Sequence, residues 1–474
     1  MMKPWIGSGR RRGFILVTSC SVPLLFIALT TSFFYPDYFD NAFSSQKQAQ
    51  TGSLPSNPDT STAYRVWKPQ QAGPESHTTA QAPIRTPEAL SEGWVFDAKR
   101  DERQYGLSEA QCDAAFPDFY KEIDRAVTFR TDYALGNVTE EDVDIEWRTG
   151  GEIMRIMLYD RQLYIIDAKW AGHGYDVPRG LALLYSIHRA IVAFPGPLPN
   201  IEFSIGLGDW PGDKEGEWPL WVLTREASDD EKWVMPDFGY WSWPLDVVGD
   251  YTQVRREIRE NEQEWQEKVP KAVWRGASST NGLRESLLKE SEGKPWSDVQ
   301  EILWANRTTL APGMAELSLS MAEHCDYQFV VHTEGHSYSG RGKYLLNCAS
   351  VSVVHKPQWI EPHTHLFVPE GANQNILEVE RDFSDLNDKM DYLLNHDSEA
   401  QRIARNSAAT FRDRYLTPAA QACYWRKLFH AWASVSFEPE FYEDVEESNG
   451  KTRRKGRGTP FETYVSSLVL EEEE

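Results

Sequence analysis

The spacing of apolar positions divides this chain into stretches of different character. Residues 14–35 form an uncharged apolar run, with Arg10, Arg11 and Arg12 before it and Asp37 and Asp40 after it. That run is long enough to cross a bilayer, and the arginines ahead of it predict a cytosolic N-terminus. A cleaved signal peptide would have a shorter apolar region and a small-residue cleavage site, and no such site stands out. Residues 36–93 are rich in Ser, Thr, Gln and Pro, the composition of a disordered stem. From Trp94 the apolar positions recur regularly. LSEAQCDAAFPDFYKEIDRAVTF predicts a helix interrupted at Pro117, and IMRIMLYDRQLYIID a hairpin turning at Asp160 and Arg161. A helix follows over 181–194, opened by Pro178. IEFSIGL, from Ile201, is a buried strand that runs into Gly208-Asp209-Trp210-Pro211. Residues 225–249 read as loop. Asp250 caps a long amphipathic helix that ends before Pro270. KAVWRGASSTNGLRESLL is strand, turn and helix. The same shape recurs as the strand Tyr327 to Thr333, a Gly/Ser turn, a helix from Arg341 and a strand from Val351 to His355. HLFVPEG predicts a strand, DFSDLNDKMDYLLNHD a helix capped by Ser384, and two more helices cover 399–415 and 418–435. The charged tail after Glu446 is expected to be disordered.

Strand–helix–strand units in both halves predict an α/β protein of two Rossmann-like domains with a cleft between them. The expected divisions are a cytosolic tail 1–13, an anchor 14–35, a lumenal stem 36–93, domains 94–247 and 248–417, a helix 418–437 crossing back to the first domain, and a tail 438–474. An anchor and stem of this kind predict a single-pass type II Golgi membrane protein with its folded part in the lumen, the endoplasmic reticulum being the alternative. The chain ends in Leu470 and four glutamates, so it shows no retrieval signal. Asn137-Val138-Thr139 and Asn306-Arg307-Thr308 are acceptors for N-glycosylation. A net charge of −23 argues against nucleic acid or an anionic membrane surface as the main partner.

The candidate chemistry lies at strand ends. Glu334 to Gly340 is too rich in Gly and Ser for helix or strand. A turn before a helix aims backbone N–H groups at one spot, which suits a phosphate, and Arg341 and Lys343 add cationic donors there. Asp209, after a buried strand, is a candidate general base; Asp beside Gly and Pro also commonly caps a turn. Tyr240 and Trp243 belong to a Trp/Tyr loop that would line a sugar site or pack a domain junction. Arg275 reads as structural. Asp142-Val143-Asp144 and His363-Thr364-His365 have metal-ligand letters but no supporting ligands, so no metal is expected.

WRGASSTNGLR (274–284) and EGHSYSGRGKYLLNC (334–348), most strongly, and GDWP (208–211) resemble motifs of glycosyltransferase family 90, the capsule-associated and protein O-glucosyltransferase type. The resemblance covers roughly 94–433. It implies a GT-B fold and metal-independent, inverting transfer of a sugar, xylose or glucose, from a UDP-sugar to a glycan or glycoprotein hydroxyl, with no cofactor. By the resemblance, Asp209 falls on the base. Arg284, Ala277 and the turn Gly335, His336, Ser337, Tyr338, Ser339, Gly340, Arg341, with Lys343, fall on the donor. Arg179, in the DVPRG segment with Asp176 and Pro178, falls on an acceptor-facing loop; Tyr240 and Trp243 of the Trp/Tyr loop are the other acceptor-side candidates, on their residue type rather than on the resemblance. The resemblance also implies a Cys325–Cys348 disulfide. Cys112 and Cys423 are then left as a second candidate pair. The GYDVPRG loop lacks the cysteine pair of members that glucosylate cysteine-rich modules, Ala277 replaces a Ser of some members, and the segment after Trp359 is short. The anchored architecture with these departures looks more like the capsule xylosyltransferase branch. The competing functions are a non-catalytic lumenal glycan-binding or scaffold protein on the same fold, and a glycoside hydrolase, which needs a second carboxylate.

Overall fold

The computed structural model of the protein describes residues 93–471, apart from 134, 173–174, 211–217, 244, 246–247, 307–308 and 449. The expected anchor 14–35 and most of the expected stem lie outside the described residues. Among the described residues no helix is long and apolar enough to cross a membrane. The expectation of a transmembrane signal anchor and of a membrane partner thus finds no support among the described residues, and neither is carried further.

The described chain is mixed α/β. After a single helical turn at Ala98–Asp101 come two helices, Glu109–Ala115 (α1) and Lys121–Asp132 (α2). Ser108 and Gln111 form a reciprocal capping box on α1. Ile153–Tyr159 (β1) and Gln162–Lys169 (β2) form the expected hairpin. Asp160 and Arg161 at its tip have φ of 46° and 63°, the left-handed pair that lets a two-residue loop follow the strand twist. Helix Asp176–Val192 (α3) starts earlier than its apolar pattern predicts, because Pro178 falls in the first turn, where its missing N–H breaks no helical bond. The chain returns as Ile201–Gly206 (β3), antiparallel to β1. Two short strands, Trp221–Val222 (β4) and Trp233–Val234 (β5), extend the sheet in parallel.

After Tyr251–Asn261 (α4) comes a second, wholly parallel sheet. Its strands are Val269–Gly276 (β6), Ser297–Glu301 (β7), Tyr327–His332 (β8), Val351–His355 (β9) and Leu377–Val379 (β10), in the order β7-β6-β8-β9-β10. Gly282–Ser291 (α5) joins β6 to β7, and Gly342–Leu345 (α6) lies between β8 and β9. Parallel strands are buried on both faces, which is why β8 and β9 read as continuous apolar runs, whereas the edge strand β7 is polar and only half-buried. The period of two still sorts them. Trp274, Phe329, Val331, Val351 and Val353 face one cluster with Leu287 and Ile403, whereas Val273, Val330 and Val354 face the larger core.

Leu386–Asn395 (α7), Asp397–Thr410 (α8) and Pro418–Ala433 (α9) follow. Helix α9 packs against the first sheet and its helices. Trp432 Nε1 donates to Glu202 O at 2.9 Å, Tyr424 Oη to Val234 O at 2.9 Å, and Trp425 Nε1 to Ser186 Oγ at 2.9 Å. Cys423 in α9 is bridged to Cys112 in α1, and Cys325 to Cys348 around the turn after β8.

Four local expectations are corrected. HLFVPEG is not a strand; Thr364–Leu366 is a single 3₁₀ turn, since the slot beside β9 is taken by β10. Ser384 is not the cap of α7, which begins after Asp385 without a side-chain cap. The helix after the turn is one turn long, not a full helix. The tail is folded: Tyr442–Glu446 (β11) and Thr452–Gly456 (β12) form a hairpin, Thr459–Pro460 (β13) joins β2 at the edge of the first sheet, and Phe461–Glu471 (α10) follows. Phe461 explains it: one buried aromatic, edge-on to Tyr185 and stacked on His188, ties a polar segment down.

Candidate active site

The C-terminal ends of β3, β6 and β8 meet around one cavity of about 790 Å³. From α3, the end of β3 and the loop after β5 come Arg179, Asp209, Phe238, Gly239 and Trp243. From the parallel sheet come Arg275, Gly276, Ala277, Arg284, Gly335, His336, Tyr338, Ser339, Gly340, Arg341 and Lys343. Residues far apart in sequence thus share one wall-to-wall space. Four predicted site residues stay out of it. Ser337 is buried and absent from the lining. Asp176 is buried too, and its carboxylate accepts from the Ala171 amide and from Gly172 N at 3.3 Å, fixing the start of α3. Pro178 lies in the first turn of α3. Tyr240 is packed edge-on against Tyr251, with its hydroxyl buried.

Asp209 lies three residues past β3, half in solvent. Its carboxylate is paired with Arg179 Nη1 at 3.0 Å. The same guanidinium donates to Leu207 O at 3.2 Å and lies over the rings of Phe238, at 4.8 Å, and Trp243, at 5.2 Å. Arg179 is therefore held by the protein beside the carboxylate. Trp210, 57% exposed, stands next to Asp209 with its ring edge against Trp359 at 5.3 Å.

The turn after β8 is shaped by two glycines. A Cβ on Gly335 would lie 2.9 Å from Tyr338 O, and one on Gly342 2.6 Å from the His332 ring. Both are close approaches that only glycine permits. Lys343 is buried, with Nζ 2.6 Å from Asp237 Oδ2 and 2.5 Å from Gly340 O. It clasps the turn to the loop after β5.

Charge sorts the cations of the cavity. Arg179 is paired with Asp209, Arg275 with Asp298 at 3.0 Å, and Lys343 with Asp237. Among the described residues, Arg284 and Arg341 have only neutral partners. Arg284 donates to Glu334 O at 3.3 Å, Ala277 O at 3.1 Å and Thr280 Oγ1 at 2.8 Å; Arg341 donates to Arg275 O. Both lie 5.9 Å from the ring of Trp274. Burial pulls Arg284 down to about 10. Burial and the Arg284 charge pull Arg341 down to about 9. Two neighbouring guanidiniums, desolvated and without a carboxylate, make a site for a dianion. No group of three or more His, Cys, Asp or Glu able to hold a metal ion occurs among the described residues. Asp142 is instead occupied by Thr139 N at 2.7 Å and by Arg130. His363 packs on Phe367 and Phe411, and His365 Nε2 meets Asp118 O at 2.6 Å. Asn137 and Asn306 are both exposed, Asn306 on the rim of the cavity.

Sequence reasoning missed Asp237, Phe238 and His324. The partner of Lys343 lies 106 residues away, and no local spacing announces it. His324, in the short turn before β8, lines the cavity although nothing around it resembles a motif.

A family model described as Glycosyl transferase family 90 matches residues 111–471. Protein O-glucosyltransferase 2 of Danio rerio is 25% identical over 260 residues, covering 54% of this chain and 50% of that protein. Protein O-glucosyltransferase 3 of Rattus norvegicus is 25% identical over 262 residues, covering 53% and 49%. The O-glucosyltransferase rumi homolog of Aedes aegypti is 26% identical over 263 residues, covering 50% and 62%. The chain spans about half the length of the first curated relatives it matches.

Proposed function

This chain belongs to glycosyl transferase family 90, and from that premise we propose that it transfers glucose or xylose from a UDP-sugar to a hydroxyl of a glycan or glycoprotein, with inversion and without a metal ion. The similarity to proteins named O-glucosyltransferases favours glucose. The acceptor oxygen attacks the anomeric carbon on the face opposite the diphosphate. As that bond forms, Asp209 takes the hydroxyl proton, and UDP departs with the electron pair of the broken bond. Arg284 and Arg341 meet the charge that grows on the leaving diphosphate, the role a divalent cation fills elsewhere. Arg179 and Trp243 keep Asp209 at the acceptor side, and Trp210 offers an apolar face there.

The same reading makes the architecture GT-B-like. The parallel sheet makes 248–417 Rossmann-like, whereas the mostly antiparallel first sheet departs from that expectation for 94–247; the two parts flank the cavity as a cleft, and the helix over 418–437 returns to the first. Two disulfides suit an oxidising compartment, so the site of action is the lumen of the Golgi or the endoplasmic reticulum.

The observation that carries the proposal is a pair of guanidiniums without a carboxylate, lining the same cavity as a half-buried aspartate. Asp209→Asn should leave UDP affinity nearly unchanged and cut turnover by roughly 10²–10⁴-fold. Arg341→Ala should weaken UDP binding and slow transfer as well, and a chelator should change neither. Calorimetry with UDP and a transfer assay over UDP-sugars with glycan and peptide acceptors decide it. If Asp209→Asn lost UDP while Arg341→Ala kept it, the roles would be assigned to the wrong residues. UDP binding without transfer would make the protein a lectin-like binder, and release of free sugar from a glycan would make it a hydrolase.

A further inference from the structure

His324 lines the cavity but is itself almost wholly buried, 1% exposed. Its Nδ1 lies 2.7 Å from Ser320 O. A carbonyl oxygen only accepts, so Nδ1 carries the proton. Burial, with the charges of Arg341 and Arg275 nearby, pulls the ring down to about 4, so it is neutral at physiological pH. Its Nε2 is therefore an unprotonated acceptor, and among the described residues it has no partner. A buried acceptor left unmet costs free energy that a ligand donor would recover. The same cavity is also lined by Ile302, Leu319 and Met321, apolar side chains that suit the faces of a flat ring better than a hydroxyl-covered sugar. Arg341, an anion-binding candidate, is close enough to perturb the same imidazole.

We propose that His324 is a specificity-determining residue that accepts a hydrogen bond from the imide N3–H of the donor's uracil, selecting it over cytosine. Cytosine presents a lone pair at N3, so two acceptors would face each other and both would stay buried and unpaired. The inference rests on the reading of this cavity as a UDP-sugar site and adds to it which residue reads the base.

Calorimetry on the unaltered protein supplies the first test. UDP should bind roughly tenfold or more tightly than CDP and than N3-methyl-UDP, the worth of one buried hydrogen bond lost. 2′-Deoxy-UDP should bind within about threefold of UDP, since the ribose hydroxyl is not what Nε2 meets. His324→Ala should weaken UDP by about tenfold and leave CDP and N3-methyl-UDP nearly as they were. His324→Gln, whose side-chain oxygen also accepts, should recover part of the preference. Equal affinity of the unaltered protein for UDP and N3-methyl-UDP would overturn the inference, and so would a loss on 2′-deoxygenation alone. Weakening of UDP and CDP by one common factor in His324→Ala would overturn it too. Failure of the unaltered protein to bind UDP at all would instead sink the reading of the cavity.

Discussion

The carboxyl of Glu361 is buried, and burial pushes it up to about 8, with Lys343 opposing and Asp237 and Glu334 adding to the rise. An unfolded glutamate ionises near 4.5. Between those values the folded protein holds a proton that the unfolded chain has released, so stability falls as pH rises from about 4.5 to about 8. His324 and His363 act in the opposite sense, since burial pulls them down to about 4 and about 3. Each favours folding above its unfolded value near 6.5 and loses that contribution as pH falls. Glu361→Gln is neutral at every pH, so its melting temperature should decline less than the parent's between pH 5 and 8, by a few degrees. Melting curves across that range test this, and parallel declines in the two proteins would mean that Glu361 ionises normally. The histidines were legible only as letters in the sequence. Their charge state follows from burial, which composition does not report.

At the scale of elements, the described segments between 442 and 471 are the clearest departure from what the chain's pattern suggests. A run such as KTRRKGRG has no apolar period, and an isolated hairpin there would be marginal. It folds because β13 adds to the edge of β2 and Phe461 enters the core beside Tyr185. Phe461→Ala should cost about 3–5 kcal/mol and free α10, with UDP affinity unchanged because the residue is not among those that line the cavity. Urea unfolding and limited proteolysis between 440 and 471 check it; unchanged stability with a protected tail would show that β13 alone suffices. By contrast α9 was readable in advance. Thr417 and Pro418 announce its start, and its side chains are mostly apolar or aromatic, as befits a helix that is buried over most of its surface. The strands β8 and β9 were readable for the same reason, being short β-branched runs bounded by turn residues.

On the scale of the whole molecule, the Asp237–Lys343 pair joins the loop after the first sheet to the turn after β8. Both partners are buried. Lys343→Met would leave Asp237 enclosed and unpaired, a loss of about 3–5 kcal/mol, and would loosen the turn that carries Arg341. Asp237→Asn together with Lys343→Met should recover most of the stability, and denaturant unfolding of the three variants measures it. No recovery in the double variant would mean that the pair is not coupled. By itself the sequence determined the class of fold, most helices and strands, the hairpin at Asp160 and Arg161, and the motifs around Asp209, Arg284 and Arg341. These depend on residue type and short-range period, which a chain displays openly. Only the tertiary structure decided that Arg179 serves Asp209, that Asp176 and Tyr240 face away from the cavity, that Lys343 is neutralised, and that Arg284 and Arg341 are not. The reason is physical. Whether a charge is free to bind a ligand depends on what lies within a few ångströms of it, and here those neighbours come from up to 106 residues away.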